Sequence, residues 1–236
     1  MRAFVLFLKK ISSSLGFPDE FGRTFLFELQ LFVVRLTWRF SAKNRRTLRR
    51  IRQGQDIRLN FGCGSVPLEG WINIDGTRNP KAELVIGLRG PLPLPSHSAR
   101  FIFSEHLIEH FRHDEALVFL QECHRILEDG GVLRIVAPDL HGMARAYVEK
   151  DAAWFEKAFP YLDDPVDALN LIFHQGGAHH YIYDSEALQK ILRKAGFEQV
   201  MPSTFGESAW PELNVDLDAD LRTIKSVYVE AVKGAA

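Results

Sequence analysis

Residues 58–76 read RLNFGCGSVPLEGWINIDG, and no other stretch restricts the fold of this chain so tightly. Residues 57–61 form a short apolar strand that runs into Gly62-Cys63-Gly64, and residues 71–75 form a second that ends at Asp75 before Gly76. Trp71 follows Gly62 by nine positions, which is too short for a helical crossover. Glycines directly after a first strand let the backbone approach a ligand closely. An acid ending the next strand accepts both hydroxyl hydrogens of a ribose.

The chain continues in alternating strand and helix patterns. Strands are expected at 82–86 and 101–103, and a helix at 114–127 buries Leu117, Leu120 and Cys123. Asp129-Gly130-Gly131 breaks that helix before an apolar strand over 131–137. Helices are predicted at about 140–158 and at 185–195, the latter stopped by Gly196, with closing strands over 197–201 and 226–232. Such alternation points to an α/β fold, a Rossmann-like three-layer sandwich with a mostly parallel sheet.

Residues 1–55 differ from the rest. They hold twelve Lys/Arg against three Asp/Glu, while the remainder of the 236 residues holds seventeen against twenty-seven. Phe21, Phe25, Leu29, Phe32, Leu36 and Phe40 recur at helical spacing, and cations from Arg35 to Arg52 load the second half. The division is therefore a basic amphipathic helical arm, 1–55, and an α/β domain, 56–236. The stripe is expected to pack on the domain in preference to an anionic membrane surface, where basic aromatic helices also lie. Homodimer contact is a further role open to the arm. Two cysteines fit a reducing cytosol, and the apolar run after Arg2 is too short for a secretory signal. A cytoplasmic protein, with membrane association through the arm, is the resulting expectation. The acidic domain and the lack of a recognition motif argue against nucleic acid.

In five ordered blocks over 56–232 the chain resembles the class I S-adenosylmethionine-dependent methyltransferases, in particular the methyltransferase-domain group of small-molecule and glycan-modifying enzymes. The blocks are LNFGCG, GWINIDG, PLPLPSHSARFIFSEHLIEHF, FLQECHRILEDGGVLRIVAPDL and YDSEALQKILRKAGFEQV. The resemblance implies a seven-stranded sheet with an antiparallel last strand and S-adenosylmethionine as cofactor. It implies cofactor contacts from Asn60, Gly62, Cys63, Gly64, Asp75, Leu88, Ser104 and Glu105. Three positions depart from the pattern: Asn60 replaces an acid, Val66 a third glycine, and Gly87 an acid near the adenine.

His106-Leu107-Ile108-Glu109-His110 also matches H-x-x-E-H, a zinc pattern. Zinc would need both histidines on one helix face, whereas 101–103 reads as strand and 104–105 as its exit. No metal ligands are assigned. His106, at the strand end, is the first candidate for a base that takes a proton from an oxygen acceptor. His179 and His180, beside Gly176-Gly177, are candidates for the acceptor pocket, with a plain surface turn as the alternative. Asp139 reads as a helix cap, and Cys63 as a small packing residue.

The expected activity is methyl transfer to a small acceptor, most simply a hydroxyl of a sugar or glycolipid precursor. Two alternatives differ in class: a non-catalytic module that binds S-adenosylmethionine or S-adenosylhomocysteine, and a zinc hydrolase using His106 and His110.

Overall fold

A computed structural model describes residues 19–217 and 219–235. The short apolar run after Arg2 lies outside them. Two helices open the described chain: α1 (Asp19–Thr37), then, after a 3-10 turn over Trp38–Phe40, α2 (Ala42–Gln53). Seven strands follow: β1 (Arg58–Phe61), β2 (Ile72–Asp75), β3 (Leu84–Val85), β4 (Ala99–Glu105), β5 (Leu127–Pro138), β6 (Gln199–Ser203) and β7 (Ser226–Val232). The later helices are α3 (His113–Ile126), α4 (Leu140–Val148), α5 (Ala152–Ala158), α6 (Pro165–His174), α7 (Ser185–Lys194) and α8 (Ala219–Lys225).

The sheet order is β3-β2-β1-β4-β5-β7-β6. β1 to β5 run parallel, and β7 is antiparallel to both β5 and β6. This is a Rossmann-like α/β architecture, and its strand order reverses between β1 and β4. Crevices at such a reversal, outside the carboxyl ends of the strands, are where open α/β sheets bind ligands.

Alternation along the strands sorts residues to two faces. Ile102 and Leu133 join the main core with Leu48 and Ile51 of α2, Phe119 and Leu120 of α3, and Leu188 and Leu192 of α7. Phe101, Phe103, Val132 and Val136 face the other side, where Trp71, Leu213 and Tyr228 cover them. That second layer is built partly from loops, because the segment from Gly62 to Trp71 is as short as its spacing requires and forms no helix. Asn60 Nδ2 donates to Asn73 Oδ1 at 2.9 Å, and Asn73 in turn accepts from Leu68 N and donates to Leu68 O, pinning this loop.

The basic segment is not a separate arm along its second half. Asn44 of α2 pairs through its side-chain amide with both N and O of Val85, at 3.1 and 2.8 Å, closing the edge strand β3. Leu48 and Ile51 are buried in the core, worth roughly 1.5–3 kcal/mol each. The expected packing of the α1 stripe is corrected. Phe25, Leu29 and Leu36 are exposed, as is Phe40 in the 3-10 turn, while Leu26, Leu31 and Val34 turn toward the domain. The side chain of Phe21 is outside the described residues.

Other local differences have simple causes. The helix expected over 140–158 breaks at Lys150 (φ 56°), after which Asp151 caps α5. α6 was not expected from periodicity; Asp164 caps it with Pro165 in its first turn. Asp139 caps α4, accepting from His141 N and Gly142 N.

Candidate active site

A cavity of ≈ 580 Å³ opens at the carboxyl ends of β1, β2 and β4, the topological reversal of the sheet. Gly62, Gly64, Asp75 and Leu88 line it, together with His106, Leu107 and His110. Phe27, Glu28, Leu31 and Arg35 of α1 close it over. Arg89 fastens that roof: its guanidinium donates to both oxygens of Glu28, at 2.9 and 3.1 Å, and reaches Glu115 of α3 at 3.7 Å. The Arg35 side chain also lies along Gly87, 3.8 Å from where a Cβ would stand. The position that departs from the family pattern is therefore covered by α1.

The glycine turn is shaped for close approach. Gly62 has φ 72°, and a Cβ there would stand 3.0 Å from Leu107. Asp75 is buried, and its carboxylate organises the loop around it. Oδ2 accepts from Gly64 N at 3.0 Å, and Oδ1 accepts from Thr77 N and Thr77 Oγ1, both at 2.8 Å. Asn79 Nδ2 also donates to Oδ2 at 3.3 Å, so the protein engages about all four acceptor positions of this carboxylate. A ribose hydroxyl would bind there in exchange for one of these donors, of which Asn79 is the longest.

His106 follows β4 directly and takes φ 50°, a costly backbone state for a residue other than glycine. Its amide donates to Val136 O at 2.9 Å, which pins the turn to β5. Its Nδ1 lies 3.1 Å from Glu109 Oε1, and its Nε2 lies 3.2 Å from Ser226 Oγ. Glu109 is fully buried. Burial pushes its carboxyl upward, but the hydrogen bond and charge of His106, with His110 nearby, outweigh that and hold it below the ordinary range. Residues 108–110 form a 3-10 turn rather than an α-helix. His106 and His110 therefore do not share the helical face that the H-x-x-E-H pattern needs.

Several residues expected at the cofactor do not line the cavity. Asn60 is committed to Asn73. Ser104 is buried in β4. Glu105 binds Arg222 and accepts from Leu217 N at 3.3 Å, tethering the segment before α8; burial raises its carboxyl against the pull of Arg222. Cys63 is buried, and burial followed by the Asp75 charge pushes its thiol up to about 11, far from a reactive thiolate. His179 is buried and His180 exposed, both held below the ordinary histidine range chiefly by loss of hydration. The backbone amides of His180 and Tyr181 donate to Glu109 O at 2.8 and 3.3 Å, which docks this loop beside the β4 turn.

Sequence reasoning missed the α1 roof, the Arg89 fastening and the role of Glu109. The signal for Glu109 was present, three residues after His106 in the same motif.

Residues 70–135 match the family model of the methyltransferase domain. The matched span carries β2, β3, β4 and most of β5, with Asp75, Leu88, His106 and His110 of the cavity, while Gly62, Gly64 and α1 precede it. That span carries a methyltransferase-domain match, in keeping with the resemblance of the sequence to class I, S-adenosylmethionine-dependent methyltransferases. Among solved structures, a methyltransferase of this kind from Thermotoga maritima aligns with TM-score 0.47 and 22% identity, over 84% of this chain and 92% of that one. One from Archaeoglobus fulgidus aligns with TM-score 0.44 and 16% identity, over 86% and 99%. No curated protein matches the chain. The residues present fit the cofactor of a methyltransferase: a glycine cradle that a side chain would obstruct, and a buried acid fixed in the cavity wall.

Proposed function

We propose that this methyltransferase acts on an oxygen acceptor, a hydroxyl of a sugar or glycolipid precursor, with His106 as the base. Bound S-adenosylmethionine supplies an activated methyl group, so the protein's tasks are alignment, water exclusion and proton removal. Gly62 and Gly64 pass beneath the methionine part, Asp75 holds the ribose hydroxyls, and Leu88 flanks the adenine. α1 excludes water from above. The observation that carries the reading is the His106 ring at the cavity wall, oriented through Nδ1 by the buried Glu109. With Nδ1 so held, Nε2 takes the acceptor proton, exchanging its contact with Ser226 Oγ for the acceptor hydroxyl. The acceptor class itself rests on the family resemblance and on the basic segment.

Transfer of labelled methyl from S-adenosylmethionine into an extract of host glycolipids and small metabolites tests this. A labelled product that carries the methyl on oxygen, and is lost in His106→Ala, supports it. Methylation of nitrogen or carbon alone refutes the acceptor.

The outer face of α1 supports a peripheral contact with an anionic membrane. Leu29 and Leu36 of α1 and Phe40 of the 3-10 turn are exposed, and so are the cations that follow in sequence, Arg39, Lys43, Arg46 and Arg49, a combination that suits anionic lipid surfaces. No described helix is long and apolar enough to cross a membrane. Flotation with anionic vesicles should be strong for the full chain and lost in the Leu29→Glu/Leu36→Glu/Phe40→Glu variant. A concentration-dependent dimer without flotation would assign the face to a second copy. Deleting residues 1–55 is unsuitable, since Leu48 and Ile51 belong to the core.

A further inference from the structure

Glu109 keeps one group that methyl transfer leaves unused. Its Oε1 meets His106, but Oε2 is buried and has no hydrogen-bond partner among the described residues. An unsatisfied buried carboxylate oxygen is expensive, and a native structure tolerates one where something else binds it. Two histidines stand next to this carboxylate. The rings of His110 and His179 pack edge to face with centroids 4.9 Å apart. His110 Nδ1 lies 3.0 Å from Ala178 O, and His179 Nδ1 lies 2.5 Å from Ile172 O. An imidazole whose Nδ1–H donates to a carbonyl carries its lone pair on Nε2, the arrangement typical of metal-binding histidines. One ligand atom from each of Glu109, His110 and His179 lies within 4.8 Å of the others.

We propose that Glu109, His110 and His179 bind a divalent transition-metal ion beside the cavity, whose wall His110 lines. Two imidazoles and one carboxylate suit zinc, cobalt or iron(II) and not calcium or magnesium, which prefer oxygen. His106 is outside the site, because its ring is committed to Glu109 Oε1 and Ser226 Oγ. The site is thus not the helical H-x-x-E-H pattern. It joins the β4 turn to the 178–181 loop, which the Glu109 carbonyl already holds through the amides of His180 and Tyr181. An ion bonded at about 2.0–2.2 Å spaces its donors roughly 3.4 Å apart, so rotations of the three side chains by about an ångström complete the set. The three protein donors leave coordination positions for water or an acceptor oxygen.

The test uses full-length protein without an affinity tag, stripped with chelator and then titrated with zinc against a chromophoric chelator. One equivalent of zinc should survive gel filtration, and the cobalt-loaded protein should show visible absorption. His110→Ala and His179→Ala should each weaken zinc binding by more than about 100-fold, beyond the effect of losing a supporting contact, and abolish the cobalt spectrum. His113→Ala, an exposed histidine nearby, should leave both unchanged. Calorimetry with S-adenosylhomocysteine checks that the variants are folded, and it reports on the cofactor site independently of the metal. Glu109→Gln provides a second, isosteric variant should an alanine variant misfold. Failure of the wild type to retain zinc, cobalt or iron(II), or undiminished binding by the histidine variants, would overturn the site while leaving the methyl-transfer reading in place.

Discussion

One buried carboxylate, Asp75, stands in the cavity wall, and another, Glu109, lies just outside the lining and is bonded to the lining residue His106; the two are treated in opposite ways. At the glycine turn, Asp75 is surrounded by donors from its own neighbourhood: Gly64 N, Thr77 N, Thr77 Oγ1 and Asn79 Nδ2. Glu109, in contrast, has one oxygen on His106 and one without a partner among the described residues. The first is a rigid cradle assembled from contiguous chain. The second is assembled from the β4 turn, the 178–181 loop and the start of β7, and it carries unspent polar capacity. Rigid satisfied groups bind and position; incompletely satisfied ones are where proton transfer or ion binding is placed.

The largest effect should come from His106→Ala. If the Glu109 side does the chemistry, methyl transfer falls by about 10²–10⁴, while calorimetric affinity for S-adenosylmethionine stays within a few-fold. Equal loss of both would erase the distinction between the two sides. Asp75→Ala should do the reverse. Losing charge-assisted bonds of about 1.5–3 kcal/mol lowers cofactor affinity by roughly 10–100-fold in the same calorimetric experiment. Unchanged affinity would remove Asp75 from the cradle.

Gly62→Ala probes the cradle's backbone. With φ 72° and Leu107 at 3.0 Å from the new Cβ, thermal or denaturant unfolding should show a loss of about 1–3 kcal/mol. A neutral result would mean that the turn is less constrained than the glycine side of this comparison requires. The smallest effect belongs to Arg89→Ala, which frees Glu28 of α1 from its tie to the domain. Partly exposed ion pairs contribute up to about 1 kcal/mol, so stability barely moves. Cofactor dissociation by stopped flow should accelerate by no more than about fivefold, and no change would show that the roof closes without this fastening.

The glycine side was legible in the sequence because its parts are neighbours in the chain: two glycines after one strand and an acid after the next. The strands and most helices were legible for the same reason, through period and punctuation. The Asn60 and Glu105 side chains were not, because their partners, Asn73 and Arg222, depend on which strands and segments become neighbours. α1 shows the limit of periodicity most clearly. Its phenylalanine and leucine stripe is helical as expected, yet the docked face is the one bearing Leu31 and Val34. Spacing establishes that a helix has an apolar side, but a helix apolar on two sides is oriented by the surface it meets.

By itself the sequence determined the α/β alternation, the glycine cradle with Asp75, the position of His106 at a strand exit and the resemblance to methyltransferases. These follow from local conformational preference and from motifs that are continuous in the chain. The tertiary structure alone decided that α1 roofs the cavity, that Glu109 orients His106, and that His179 comes to lie beside His110. The ring contact between His110 and His179 joins residues far apart in sequence, and packing of the 178–181 loop against the β4 turn brings them together.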